Sequence, residues 1–199
     1  DGYQEVEPIV YNGVMFLANV EDIVEAIDAT TGDLLWRYRR NLPDNIANVT
    51  GTRYRYRNVS IYDDKIFLAT NDAFLVALDA KTGKPLWHHT VGGRIDSPPT
   101  ISGPRVLFGS ADGQVHCLRA SDGALGWSFQ AAPADRRLMA FEQLESTWPV
   151  HGSVLLRDGV VYSVSGRSTY LDGGLRMVRL DARTGYKLSE TLMDDKDPK

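Results

Sequence analysis

Short apolar runs alternate with polar turns along the chain, and one arrangement of them recurs four times. Within each recurrence, turns such as Asn12-Gly13 and Asp158-Gly159 separate apolar segments of strand length. Dipeptides of this kind between apolar runs are strong signals for β-hairpins. The pattern therefore predicts consecutive antiparallel strands, and it leaves one helix candidate, at residues 134–145.

An eleven-residue segment carries the second half of each recurrence. In the first copy, residues 26–36, an apolar strand is followed by the turn Asp-Ala-Thr-Thr-Gly and by a second strand that carries Trp36. Glycine supplies the positive φ of such a turn, and the Asp and Thr side chains can bond its amides. Arg119 and Asp122 replace Asp and Thr in the third copy, and Ser189 replaces Trp in the fourth. The other copies are the segments 77–87, 117–127 and 179–189.

Each recurrence combines four successive strands, and a repeated antiparallel meander of this length is typical of a β-propeller blade. We therefore predict an all-β fold with four propeller blades. We expect the tryptophans at the repeated position to be buried between neighbouring blades, and they are Trp36, Trp87 and Trp127. The predicted boundaries are 3–40 for blade one, 54–92 for blade two, 96–132 for blade three, 133–149 for an insertion and 150–193 for blade four.

The composition limits the functional classes. The chain has 199 residues, of which 43% are hydrophobic and 24% charged, so it can bury a core. A formal net charge of −4 argues against a nucleic-acid-binding protein. The single cysteine, Cys117, excludes an intrachain disulfide and a multi-cysteine metal site, and we expect it in the core. We recognise no signal peptide and no apolar run near the roughly 20 residues of a membrane-spanning helix.

The repeated Ala-x-Asp-Ala-x-Thr-Gly-x-x-x-Trp pattern resembles the tryptophan-docking repeats of propellers that bind pyrroloquinoline quinone (PQQ). Residues 1–91, through stretches such as 4–10 and 57–62, resemble the N-terminal blades of PQQ-dependent alcohol dehydrogenases. Residues 92–199 resemble bacterial PQQ-like repeat proteins of unclear activity, and stretches 94–100, 117–123 and 143–152 carry that similarity. The resemblance implies that four blades are half of an eight-bladed ring. The remaining blades or a second copy would complete it, unless four blades close as a small ring.

In the dehydrogenases that the chain resembles, a Glu before blade one and an Arg before blade two contact the cofactor. Glu5 and Arg57 stand at the matching positions, and a guanidinium can bind a PQQ carboxylate bidentately. Alternatively, Arg57 is a solvated residue at a strand end and Glu5 is a terminal charge. Six arginines favour anion binding here, although they can equally face water or pair with neighbouring blades: Arg37, Arg39, Arg40, Arg53, Arg55 and Arg57.

The resemblance leaves two functional readings open. No motif after Gly92 matches the Glu-Asn-Asp set that holds calcium in the family, so calcium is expected only if other blades supply its ligands. We assign no catalytic or metal-binding residue, and the chain alone is not expected to oxidise alcohols. It is then either a segment of a PQQ-dependent alcohol dehydrogenase that acts on a small alcohol, or a non-catalytic propeller that binds protein or polysaccharide. Both readings imply a periplasmic or extracellular location. His151 could line a pocket, although a structural role is favoured.

Overall fold

The computed structural model describes residues 7–43, 58–140 and 143–196. In this part of the chain, four antiparallel sheets of four strands each follow one another, and a two-stranded hairpin lies between the third and fourth sheets. Within every four-stranded sheet the strands pair in chain order. The predicted all-β, blade-like architecture is therefore confirmed.

The strands of the four blades have these bounds. Blade one contains β1 (Ile9–Tyr11), β2 (Val14–Asn19), β3 (Ile23–Asp28) and β4 (Leu34–Arg39), with a short 3-10 turn at Val20–Asp22. Blade two contains β5 (Ser60–Tyr62), β6 (Lys65–Ala69), β7 (Phe74–Asp79) and β8 (Pro85–Thr90). Blade three contains β9 (Thr100–Ser102), β10 (Arg105–Gly109), β11 (Gln114–Arg119) and β12 (Leu125–Gln130). The hairpin is β13 (Arg137–Ala140) and β14 (Gln143–Ser146), and blade four contains β15 (Leu155–Arg157), β16 (Val160–Ser165), β17 (Leu175–Asp181) and β18 (Lys187–Met193).

The core lies between the blades, because each blade packs one sheet face against the next. Phe16 of β2 belongs to a buried cluster with Ile66 and Leu68 of β6. The neighbouring residue Phe67 points the other way and clusters with Phe108 of β10. Alternate side chains of a strand face opposite sides of its sheet, so an interior blade is apolar on both faces.

The repeated tryptophans link each blade to the next, as predicted. The Nε1 of Trp36 donates to the carbonyl oxygen of Ala80 at 3.0 Å, and Trp87 and Trp127 make the same bond to the following blades. The indole of Trp36 lies so close to Gly83 that a Cβ there would be 2.5 Å from its ring. Gly83 has a φ of +70°, so the glycine serves both the turn and the docking. The indoles are half-buried rather than enclosed.

The expected helix at 134–145 is wrong, because β13 and β14 occupy this segment as an antiparallel hairpin. Residues such as Leu138 and Met139 have a high intrinsic helix propensity. Tertiary contacts can override that preference, and they do so here. The hairpin is tied to its surroundings by backbone bonds, since the amide of Ser146 donates to Ala111 of blade three at 2.8 Å. Glu145 is buried against blade three as well. The described residues contain no helix that is long and apolar enough to span a membrane.

Candidate functional site

One end of the blades carries all the long connections that the structure describes. The chain reaches the first strand of every blade at this end, and the turns between second and third strands lie there too. The opposite end carries short turns such as Asn12-Gly13. We call the first end the insertion face; its described connections are 7–8, 20–22, 40–43, 58–59, 70–73, 91–99, 110–113, 131–140, 143–154 and 166–174. Long loops on a rigid scaffold are where binding residues concentrate, so this face is the candidate site.

The segments that lead into successive blades lie side by side on the insertion face. The hydroxyl of Ser60 donates to the carbonyl oxygen of Pro99, and the hydroxyl of Thr100 donates to that of Val154. These two bonds join equivalent positions in blades two, three and four. Residues just before the first strands are therefore neighbours in space, although they are far apart in sequence.

A buried ionic network lies between the segments that lead into blades three and four. The Nε of Arg94 donates to Oδ1 of Asp96 at 2.8 Å, and the same guanidinium contacts Glu145 of the hairpin. The Nδ1 of His151 lies 2.6 Å from Oδ2 of Asp96. The Arg94 side chain is only 7% exposed, whereas that of His151 is 35% exposed. Arg94 and Glu145 are thus buried, Asp96 is partly buried, and the imidazole reaches the surface.

His151 lines a pocket of about 720 Å³ on blade four. The remaining walls come from β15, β16 and β17 and from the loop after β16, and they include Tyr162, Arg167 and Met177. The expectation that His151 could line a pocket therefore agrees with the structure. The bond to Asp96 was not foreseen, because the two residues lie 55 positions apart. A signal exists in the repeat, since Asp96 and His151 each stand four residues before the first strand of a blade.

The described arginines of the insertion face are paired with carboxylates. Arg40 lies 2.7 Å from Asp72, and its guanidinium also stacks over the ring of Phe74. Arg167 pairs with Asp172. Further pairs are Arg94 with Asp96 and Glu145, Arg136 with Asp172, and Arg137 with Asp135. In this part of the chain the insertion face offers no unpaired arginine to a tricarboxylate, so the described residues do not fit PQQ by themselves.

The expected positive field of the arginine cluster is neutralised at its first three members. Arg37 pairs with Glu25, Arg39 with Glu21 and Arg40 with Asp72. These carboxylates come from β3 and from the turns after β2 and β6, so the sequence around the arginines does not reveal them. The alternative of pairing with a neighbouring blade is correct for Arg40, whereas Arg37 and Arg39 pair with acids of their own blade. Arg53, Arg55 and Arg57 lie outside the described residues.

Glu5 and Arg57, the predicted cofactor contacts, both lie outside the described residues. Their described neighbours do approach each other, because the amide nitrogen of Glu7 lies 3.4 Å from Oδ1 of Asn58. The segment before blade one and the segment before blade two therefore meet beside β1 and β5. The role of both predicted residues stays a prediction.

The cysteine and the other histidines of the described residues have structural explanations. Cys117 is buried in the core between blades three and four, and burial raises the pKa of its thiol to about 11. An unreactive core cysteine is what the sequence predicted. His88 packs against Phe74, whereas His89 packs against His116, so the two adjacent histidines do not act together. Within residues 7–43, 58–140 and 143–196, no three His, Cys, Asp or Glu side chains are grouped to hold a metal ion.

Comparison with known proteins shows which family the sequence matches. The family described as "PQQ: Glucose/ethanol/alcohol dehydrogenase, beta-propeller domain" matches residues 2–105 of the chain. The dehydrogenase subunit of alcohol dehydrogenase (quinone) from Gluconobacter oxydans is 34% identical over 147 residues, which cover 65% of this chain and 19% of that protein. The outer membrane protein assembly factor BamB of Moranella endobia is 31% identical over 137 residues, covering 64% of this chain and 33% of that protein.

A solved structure supports the fold. The quinohemoprotein alcohol dehydrogenase of Comamonas testosteroni aligns with a TM-score of 0.74 and 20% identity, over 93% of this chain and 34% of that one. At this identity the likeness shows a shared propeller architecture. The chain spans about a fifth of the length of the dehydrogenase and a third of the length of the assembly factor that it matches.

Proposed function

Because the chain belongs to the family of PQQ-type glucose/ethanol/alcohol dehydrogenase propeller domains, we propose that it contributes part of the cofactor-binding face of a larger quinoprotein. In this proposal Glu5 and Arg57 contact the cofactor, and the complete dehydrogenase site requires blades beyond this chain. The observation that carries the proposal is the contact between Glu7 and Asn58, since it brings the flanks of both residues together on the insertion face.

The chemistry of Arg57 supports this role better than that of Glu5. PQQ carries carboxylates, and a planar guanidinium can bind one of them through two parallel hydrogen bonds. Glu5 could contribute only as an acceptor. The described arginines of the insertion face already have carboxylate partners, so the proposal depends on Arg57 for its cation. Calcium and the proton acceptor would come from other blades, and a small alcohol would be the substrate of the whole protein.

Titration of PQQ into the chain tests the proposal. We expect binding no tighter than micromolar, because most of the pocket walls lie in other blades. Arg57→Ala should weaken binding about ten- to a hundredfold, the equivalent of about 1.5–3 kcal/mol for a hydrogen bond to a charged group. Arg55→Ala, two positions away in the same cluster, is the matched control and should stay within about threefold. Equal affinity in all three proteins, or binding to none, would contradict the proposal.

A second candidate function is a non-catalytic propeller that binds protein or polysaccharide. The pairing of the described insertion-face arginines favours it, because those cations are unavailable to an anionic cofactor. The similarity to BamB is consistent with this reading. Absence of PQQ binding in the titration above would select it. In either case we propose a periplasmic or extracellular location, which fractionation of the source cells would test.

A further inference from the structure

We propose that blade one carries a docking site for the indole of a further propeller blade, and that this further blade is neither blade four of the same chain nor blade four of a second copy. The site uses neither Glu5 nor Arg57. It therefore goes beyond the proposed PQQ contact and holds equally for a non-catalytic propeller. Three occupied junctions, the corresponding face of blade one and the outer strand of blade four carry the inference.

The three occupied junctions share the same acceptor for an indole. The Nε1 of the tryptophan donates to the carbonyl oxygen of an alanine in the next blade, and the distances are 3.0, 3.1 and 3.2 Å for Ala80, Ala120 and Ala182. A turn glycine three residues after each alanine lies under the indole, where an added Cβ would come within 2.5 or 2.6 Å of the ring. All three glycines are buried. An alanine carbonyl and a turn glycine three residues later are thus the recurrent parts of the acceptor.

Blade one has the same two parts, and both are exposed. Ala29 and Gly32 occupy the equivalent positions of its turn, and the φ of Gly32 is +80°, as against +70 to +73° in the occupied turns. The described residues place no atom within 4 Å of a Cβ built on Gly32, and none of them donates to the carbonyl oxygen of Ala29. Blade one therefore presents the conformation that accepts an indole, and we call these two residues the indole acceptor.

The strands beside the indole acceptor are apolar on the same face. In blade two, Ile66 and Leu78 belong to the cluster that packs against Trp36, and both are fully buried. Those two residues pair across β6 and β7, and Met15 and Ile27 pair at the corresponding place across β2 and β3. Met15 and Ile27 are only partly buried. A docked indole would remove their remaining apolar surface from water, which favours the contact.

Blade four does not supply this indole. At the docking position it carries Ser189, whose partner across the strands is Arg179. In the other blades the tryptophan lies opposite a small residue, which is Ala26, Ala77 or Cys117. Both members of the pair therefore differ in blade four, and a serine is too short to reproduce the hydrogen bond and the ring contact of an indole. The partner that fits blade one is the outer strand of another blade, with a tryptophan four residues after its turn glycine.

Giving blade four an indole tests the acceptor. The double variant Arg179→Ala with Ser189→Trp has the residue pair of blade two, and it should raise the association constant between copies at least about tenfold over wild type, in line with a tryptophan at the centre of an interface. Sedimentation equilibrium measures it. Gly32→Ala, added to this variant, places a Cβ where the ring must lie and should return the constant to the wild-type value. Gly103→Ala is the matched control, because Gly103 also has a positive φ and its Cβ would meet no atom within 4 Å, so association should stay raised.

The wild-type background tests the exclusion of a second copy. Gly32→Ala should leave the oligomeric state of the otherwise unchanged chain as it is. Weaker association in that variant would show that blade four of a second copy occupies the indole acceptor, and it would overturn this part of the proposal. A folded double variant without any gain in association, or a gain that survives Gly32→Ala, would overturn the docking site itself.

A small probe gives a second readout that does not depend on the double variant. N-acetyl-tryptophanamide is titrated into the 15N-labelled wild-type chain, and the amide resonances of Ala29 and Gly32 should shift. Those of Gly83 and Gly123, which already lie under an indole, should not. Equal shifts at all these glycines, or none at Gly32, would contradict the proposal. Neither experiment contains PQQ, so a failed PQQ titration and a failed docking test are distinguishable.

Discussion

Blades two and four share the same turn but differ in how much of their surface is covered. In both, the Thr hydroxyl and amide of the repeated turn donate to the Asp carboxylate, with Thr82 bonded to Asp79 and Thr184 bonded to Asp181. Strand β6 is buried on both faces, whereas the exposure of β16 alternates along its length. The turn is therefore a local property of the repeat, while burial depends on whether a neighbouring blade is present.

The side chain at the junction differs as well. In blade two, Trp87 pairs with Ala77 across the strands and tilts against Phe67 with ring centres 5.7 Å apart. In blade four the equivalent pair is Ser189 and Arg179, and the guanidinium of Arg179 lies over the ring of Tyr162. Blade four thus presents a cation on an aromatic ring where the other blades present an indole, so its outer face would meet a partner through different chemistry.

The largest expected effect comes from removing a docked indole. Trp87→Ala removes a half-buried ring and its hydrogen bond to Ala120, so we expect the free energy of unfolding to fall by about 3–4 kcal/mol. Urea denaturation measures it. Ser189→Ala, at the equivalent position of blade four, should cost less than about 0.5 kcal/mol. Similar losses for the two variants would show that the comparison between the blades is mistaken.

A smaller effect is expected when a methyl group is placed under a docked indole. Gly123 and Gly32 both have positive φ, at +71° and +80°, so alanine brings backbone strain of about 1–2 kcal/mol at either position. At Gly123 the added Cβ would lie 2.5 Å from Trp87, whereas at Gly32 it meets no atom within 4 Å. Gly123→Ala should therefore cost about 2–3 kcal/mol in total, and Gly32→Ala only the strain. Indistinguishable urea midpoints would argue that the turn glycines matter for conformation alone.

The elements that the sequence predicted well are those whose chemistry is local. In the turns of blades one, two and four the Asp carboxylate accepts hydrogen bonds from amides two or three residues away, and Asp122 does so in blade three, so four copies of the turn are visible in the sequence and four blades follow. The hairpin of β13 and β14 was missed because its pairing is completed by contacts with blade three. The bond between Asp96 and His151 depends on how two blades are placed side by side, and no local pattern reports that distance.

The charges of the insertion face were misjudged for a similar reason. Arg40 has no acid among its immediate neighbours in sequence, yet Asp72 binds it from the turn of the next blade. Arg94 and Glu145 meet only because the hairpin folds back on blade three. A count of charges along the chain therefore overestimated the positive field, since the neutralising acids come from other strands and turns, those of Arg37 and Arg39 from their own blade and that of Arg40 from the next.

The smallest expected effect concerns acid and the Asp-Thr turn that blades two and four share. The Thr82 hydroxyl, together with turn amides, holds the pKa of Asp79 below its ordinary value of 3.8, and the Thr184 hydroxyl does the same for the pKa of Asp181. A carboxyl whose pKa is lower in the folded state contributes stability above pH 3.8 and loses it as the pH falls through the folded value.

Asp79→Asn should therefore lower the urea midpoint at pH 7, and the difference from wild type should shrink towards zero near pH 2. Asp181→Asn should behave in the same way although the described residues cover only one face of blade four, because the bonds lie within the turn. A pH-dependent effect at Asp79 with none at Asp181 would mean that the turn gains its stability from the neighbouring blade, and the division between local turn and shared junction would then have to be abandoned.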